Sequence, residues 1–185
     1  MPLFAVMLYF AYGRNYFTNQ QMLLIAAQVV IVLVLIPICI FYLLKLLGKV
    51  DTIMLKEISQ RRVPLLIQAI LLYILIKNSL TVTIAFELYF FFLGALASTI
   101  LALLLAICNF KASLHMLGIS AVTIFVIGLS IYNEQNALPI IAFFVILNGI
   151  VATSRLQMKA HTIREIVVGF VCGILPQLAI WNFWL

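Results

Sequence analysis

Residues 84–107 read IAFELYFFFLGALASTILALLLAI, a run of 24 residues in which Glu87 is the only charged side chain. A bilayer has a hydrocarbon core about 30 Å thick, which an α-helix crosses in about 20 residues. Backbone polar groups in that layer must be satisfied internally, which a helix does within itself. The whole chain is 66% hydrophobic and only 9% charged, with a mean hydropathy of +1.27. The stretch therefore predicts a transmembrane helix.

Similar apolar runs recur along the 185 residues, whereas the short alternating strands of a membrane barrel are absent. We predict an all-α, polytopic membrane helical bundle of about six transmembrane helices, forming a single domain over residues 1–185. The predicted spans are residues 20–44, 63–78, 84–107, 115–132, 137–153 and 163–184. The N-terminal MPLFAVMLYF is too short to span and has no basic region of a signal peptide. It is predicted to be an interfacial or half-inserted segment.

Several residues in and beside the spans suggest packing rather than chemistry. Three cysteines without paired spacing, Cys39, Cys108 and Cys172, give no support for a disulfide framework or a zinc cluster. Glu87 is a functional suspect because it is ionisable inside a span, although a structural or interface role is favoured. The C-terminal aromatic residues predict an anchor at the membrane interface: Trp181, Phe183 and Trp184. Glycines within spans predict close helix packing: Gly94, Gly118, Gly128, Gly149, Gly169 and Gly173.

Six spans alternate across the membrane, so their first, third and fifth connections share one face. We call this the basic face, because nine of the eleven Lys and Arg residues fall there: Lys45, Lys49, Lys56, Arg61, Arg62, Lys111, Arg155, Lys159 and Arg164. Only Arg14 and Lys77 fall on the opposite face. Both histidines of the chain, His115 and His161, also lie on the basic face.

Two explanations of this asymmetry remain open. The positive-inside rule places Lys and Arg on the cytoplasmic side, and Arg61 and Arg62 would then simply bind lipid headgroups. Lys111 would be a snorkelling residue at the interface. The alternative is an anion site at the membrane surface, where Arg and Lys suit a phosphate. The histidines favour the second explanation, because the positive-inside rule does not predict them.

The last of these connections reads TSRLQMKAHTIRE, residues 153–165. His161 and Glu165 are four apart, so a helix that begins near Thr162 puts them on one side. A carboxylate there holds one imidazole nitrogen and leaves the other free to attack. Thr162 and Glu165 also form the pattern of a capping box, which alone would explain the carboxylate. The two roles are compatible.

Three motifs in this order resemble the type-2 phosphatidic acid phosphatase superfamily of membrane lipid phosphatases, whose patterns are K-x(6)-R-P, P-S-G-H and S-R-x(5)-H-x(3)-D. The third fits best, with Ser154, Arg155 and His161 at the family spacing and Glu165 in place of Asp. ASLH, residues 112–115, keeps the Ser and His of the second motif but has Ala for Pro and Leu for Gly. KEISQRRVP, residues 56–64, is a loose first motif, because Lys56 and Arg62 are one residue too close and Val separates Arg62 from Pro.

The resemblance implies metal-independent hydrolysis of a phosphate or pyrophosphate lipid through a phosphohistidine, with no cofactor. His161 would be the nucleophile, oriented by Glu165, and His115 would protonate the departing lipid oxygen and later activate water. The residues implied to bind phosphate are Lys56, Arg62, Ser113, Arg155 and Lys111. Phosphoryl transfer requires mainly positioning and positive charge around the phosphate oxygens, which agrees with this assignment.

The implied substrates are undecaprenyl pyrophosphate, phosphatidylglycerol phosphate, phosphatidic acid or the phosphate of lipid A. An alternative is a weak or inactive family member that binds a phosphorylated lipid as a subunit of a membrane complex. A third hypothesis is a metalloenzyme with His115, His161 and Glu165 as ligands. The expected partners are membrane lipids, among them a phosphorylated lipid substrate, and no nucleic acid. The chain is expected to form a homo-oligomer or to belong to a membrane complex. The expected location is a bacterial inner membrane, with the motif residues on the periplasmic side.

Overall fold

A computed structural model describes residues 1–12, 17–48, 58–80 and 84–185. Over these ranges the chain forms seven helices and no strand. Six of them are long and apolar enough to cross a membrane, and the first is a shorter apolar helix. This confirms the predicted helical membrane bundle. The helices are α1 (Pro2–Tyr12), α2 (Asn19–Leu46), α3 (Ser59–Asn78), α4 (Phe86–Ile107), α5 (Leu114–Tyr132), α6 (Leu138–Gln157) and α7 (Ile163–Trp181).

Two helices extend further onto the basic face than the predicted spans do. Helix α3 begins at Ser59 instead of residue 63, and α6 ends at Gln157 instead of residue 153. Arg and Gln are good helix formers, so the helix continues where the apolar run has stopped. Arg61 and Arg62 therefore lie in the first turn of α3, and Arg155 lies in the last turn of α6. Helix geometry rather than loop geometry aims these side chains.

Helix α1 packs inside the bundle against α5, α4 and α2. Its buried residues include Ala5 and Val6, which have almost no accessible surface. Near its end, Tyr9 forms a hydrogen bond with Glu87 of α4, and both side chains belong to buried residues. An ionisable group at membrane depth is costly without such a partner. Glu87 thus links α1 to α4 on the opposite face.

Helix α5 is the most buried of the six long helices and contacts α1, α4, α6 and α7. Its closest neighbour is α7, because Gly169 and Gly173 let the two backbones approach. A Cβ on Gly169 would lie 2.5 Å from the carbonyl oxygen of Ser113, closer than atoms can pack. Gly149 of α6 differs, since nothing lies within 4 Å of the corresponding position. The predicted close packing thus holds at every one of these glycines except Gly149: Gly94, Gly118, Gly128, Gly169 and Gly173.

The aromatic C-terminus departs from the predicted interface anchor. Trp184 is 4% exposed and folds back onto the bundle, where its ring packs 6.0 Å from that of Phe125. Gly128 of α5 makes room for this ring. Phe183, by contrast, is exposed. Only part of the aromatic cluster therefore faces outward, because the turn after α7 directs Trp184 inward.

Candidate functional site

The α4–α5 and α6–α7 connections meet on the basic face, as the alternation of the spans predicts. The backbone N–H of Ser113 donates to the carbonyl oxygen of Glu165 at 3.0 Å. The Lys111 Nζ donates to the carbonyl oxygen of Ala160 at 2.8 Å. These two bonds hold the connections together and place the second and third motifs side by side.

His161 and Glu165 form the contact that their spacing predicts. Nδ1 of His161 lies 2.8 Å from Oε2 of Glu165, and the side chains are only 5% and 20% exposed. An ionised carboxylate only accepts hydrogen bonds, so Nδ1 carries the proton and Nε2 of the neutral ring keeps its lone pair. The same Oε2 accepts from the backbone N–H of Thr162 at 3.2 Å, completing a capping box. The two predicted roles of Glu165 therefore coexist.

The surroundings of His161 act on its pKa in opposite directions. Burial lowers the pKa of this imidazole below its ordinary value, and the hydrogen bond with Glu165 partly offsets that effect. The nearby charges of Lys111 and Arg61 lower the pKa of His161 further. The ring is consequently neutral near pH 7, which is the form a nucleophile needs.

His115 lies in the first turn of α5, within the range of electrostatic interaction with His161. Its side chain interacts electrostatically with Arg155, His161 and Arg61, which come from three other parts of the chain. Residue 115 is also exposed, so one side of the imidazole is accessible. The fold thus brings both histidines of the chain into one basic cluster.

Two buried polar atoms in this cluster have no hydrogen-bond partner among the described residues. They are Oγ of Ser113, which belongs to a fully buried residue, and Nε of Arg155. Buried polar groups are nearly always paired, and leaving one unpaired costs about 1–3 kcal/mol. Both atoms can donate, so they suit an anion that supplies several acceptor oxygens.

Arg61 and Arg62 occupy different environments. Arg61 is 7% exposed, and its Nη1 donates to the carbonyl oxygen of Ala112 at 3.2 Å, directly before Ser113. Arg62 donates to the last carbonyl oxygens of α4, at 3.2 Å through Nε and 3.4 Å through Nη2. Its Nη2 also donates to Oδ1 of Asn109 at 2.9 Å. The structure therefore brings Arg61 into the cluster and directs Arg62, the residue chosen from the motif, to the end of α4.

A helical pattern could have indicated Arg61. Leu65 and Leu72 are buried residues of α3, and Arg61 lies one turn before Leu65 on the same side. The motif spacing, in contrast, favours Arg62. Periodicity is the better guide here because α3 already includes both arginines.

Three other predicted features have different outcomes. Lys56 lies outside the described residues. The hydroxyl of Ser154, the first residue of the third motif, donates to Sδ of Met158 at 4.0 Å. No group of three His, Cys, Asp or Glu side chains in the described ranges is arranged to hold a metal ion. The proposed three-ligand set therefore has no support from the geometry.

Comparisons of the chain with protein-family models, curated proteins and solved structures give no match. The geometry of the basic cluster and the motif resemblance are therefore the two indications of function.

Proposed function

We propose that this integral membrane protein hydrolyses a phosphate or pyrophosphate ester of a membrane lipid without a metal ion. The observation that carries the proposal is the His161–Glu165 pair, which leaves Nε2 unprotonated beside His115 and a group of cations. The motif resemblance supports the same assignment. The proposed location is a bacterial inner membrane, with the basic face on the periplasmic side.

In the proposed reaction, Nε2 of His161 attacks phosphorus and the bond from phosphorus to the lipid oxygen breaks. His115 gives a proton to that oxygen and later takes one from the water that hydrolyses the phosphohistidine. Both steps need a group with a pKa near neutrality, which imidazole has. Glu165 holds the His161 ring and balances the positive charge that develops on it.

The phosphate oxygens are held by residues of all three connections. Ser113 and Arg155 offer the unpartnered donors, and Arg61 and Lys111 add positive charge. Positive charge around the transferred group is the main catalytic requirement of phosphoryl transfer. Arg61 thus replaces Arg62 in the proposed site, whereas Lys56 retains a role through the motif resemblance alone.

The test is phosphate release by purified protein from the four candidate lipids, measured in the presence of EDTA. A catalytic histidine contributes a factor of about 100 or more to the reaction rate. We therefore expect His161→Ala to lower the rate of phosphate release by at least that factor. Lys159→Ala is the matched control, because Lys159 is exposed on the same connection. Full activity of His161→Ala would show that the assigned nucleophile is wrong.

Glu165→Gln tests the orienting role through the pH dependence of the rate. His161 attacks when neutral, so activity is lost as the pH falls through its pKa. Glu165 raises that pKa against the effect of burial. The variant should therefore have a lower maximal rate and an acid limb displaced to lower pH. An acid limb displaced to higher pH would contradict the assignment.

A second candidate is a phosphorylated-lipid-binding subunit without turnover. It is favoured by Leu114, which stands where the second motif has Gly and lies beside His115 in the cavity described below. A bulky residue there limits how closely the backbone approaches a phosphate. This candidate predicts binding of a phosphorylated lipid with no phosphate release, so vanadate-sensitive hydrolysis would exclude it.

A further inference from the structure

A cavity of about 480 Å³ opens beside His115 and lies between α3, α4 and α5. Its remaining wall comes from the start of α1 and from Leu33, in the π-helical turn Ile31–Leu35 of α2. The polar side chains that line it are Gln68, Thr99 and His115, and the rest of the lining is apolar. This size is typical of small-molecule sites, which measure about 300–1,000 Å³.

The cavity extends from the basic face into the membrane. On α5 the lining runs from Leu114 to Ala121, a rise of about 10.5 Å. On α4 it runs from Thr99 back to Phe91, a rise of about 12 Å. Since α4 ends on the basic face, Phe91 marks the deep end. The cavity thus joins headgroup depth, where the basic cluster lies, to hydrocarbon depth.

Hydrocarbon is the occupant that suits these walls. A buried water needs two to four polar partners, which a largely apolar lining does not supply. An unfilled apolar space forfeits dispersion contacts on all its walls. A free lipid chain already lies among other lipid tails, which are as apolar as the bundle interior. The hydrophobic effect therefore adds little to the binding of such a chain in the cavity. Fit to the cavity and attachment to a headgroup held outside it therefore decide which chain binds.

We infer that the cavity binds a hydrocarbon chain of the same phosphorylated lipid whose headgroup lies at His115 and His161. This inference rests on the proposed function and narrows the substrate to a lipid with a flexible chain that reaches Phe91. His115 connects the two parts, because it belongs to the basic cluster and also lines the cavity. The position of α1 shapes the wall, and the Tyr9–Glu87 hydrogen bond holds that helix in place.

Filling the cavity tests the inference on turnover. Ala95 of α4 lines the cavity, whereas Ala97 is similarly half-buried on the same helix but does not line it. We expect Ala95→Phe to lower kcat/KM about tenfold for a long-chain substrate, the cost of losing about two buried methylenes. With a dihexanoyl analogue of the same headgroup, kcat/KM should stay within about twofold. Ala97→Phe should leave both values unchanged.

Equal losses on long- and short-chain substrates, or the same chain-length effect from Ala97→Phe, would overturn the inference. Ala95→Leu fills less of the cavity and provides the same test if the Ala95→Phe variant does not fold. Both comparisons apply to whichever lipid of the panel the wild-type protein hydrolyses.

Photocrosslinking tests the inference without turnover. A phosphorylated lipid with a diazirine at the end of its chain should label α4 between Phe91 and Thr99 in the full-length protein. Unlabelled phosphorylated lipid should compete, whereas its dephosphorylated alcohol should not. Equal competition by the alcohol, or labelling confined to the exposed side of α6, would overturn chain binding here. Labelling as expected without any phosphate release would instead show that the proposed catalysis is wrong.

Discussion

Arg61 and Arg62 adjoin in the chain, yet the first turn of α3 sends them to different parts of the bundle. Arg61 is buried beside the second motif, and Arg62 binds the end of α4. Successive helical residues point about 100° apart, so a motif spacing that is wrong by one residue selects a different environment. At this scale, burial and hydrogen bonding favour Arg61 for the proposed site, whereas the motif favours Arg62.

The two arginines provide a matched pair of variants. A hydrogen bond to a charged group is worth about 1.5–3 kcal/mol, so Arg61→Gln should lower kcat/KM for phosphate release by about 10- to 100-fold. Arg62→Gln should change kcat/KM less than about threefold and should lower the Tm instead, because it removes the contacts that hold the end of α4. Kinetics and thermal unfolding of both variants in one detergent provide the measurement. A larger kinetic loss from Arg62→Gln would restore the residue that the motif indicates.

At the scale of elements, the α5–α7 pair supports the site. Gly169 brings α7 so close to the start of α5 that the backbone of Ser113 bonds to that of Glu165. The helix pair thereby joins the second motif to the third. Helix packing in membranes depends on such small residues, because lipid competes for every apolar contact.

Adding one methyl group should separate these helices. Gly169→Ala places a Cβ against the backbone of Ser113, which cannot rotate away, and overpacking of this kind costs about 1–3 kcal/mol. We expect a lower Tm and a loss of phosphate release together. Gly149→Ala is the control, because its methyl group meets no atom, and its Tm should not fall. An unchanged Tm for Gly169→Ala would contradict the close contact.

At the scale of the whole molecule, the basic face raises the question of orientation. Nine of the chain's eleven basic residues are predicted to lie on this face. The positive-inside rule would therefore place the face in the cytoplasm, whereas the motif resemblance would place it in the periplasm. Several of these cations have local roles: Arg61 and Lys111 hold the connections, and Arg62 binds the end of α4. Basic residues retained for such roles inflate the count, which is why we propose the periplasmic side.

Thiol labelling in intact bacterial cells tests this orientation. Lys159 is exposed on the basic face and Gln135 is exposed on the opposite face, so each is replaced by Cys in turn. The background lacks the three free cysteines, of which Cys39 and Cys108 are exposed. A membrane-impermeant reagent should label Lys159→Cys before lysis and Gln135→Cys only after it. The reverse order would place the basic face in the cytoplasm.

The predictability of the site differed between residues for a physical reason. The His161–Glu165 contact and the capping box depend on residues three and four apart, so helix geometry alone predicts them. The contact partners of Arg61, the cavity and the inward turn of Trp184 depend on which helices touch. No local pattern in the chain records those contacts.

The sequence by itself determined that the protein is a helical membrane bundle, and it predicted that most of its basic groups and both imidazoles share one face, because the length and alternation of apolar runs dictate both. The tertiary structure alone decided which of those groups meet, and it joined them to an apolar cavity that reaches hydrocarbon depth. The physical reason is that membrane insertion responds to the composition of each span. Helix pairing, in contrast, responds to steric fit between spans that are distant in the chain, such as Gly169 against Ser113.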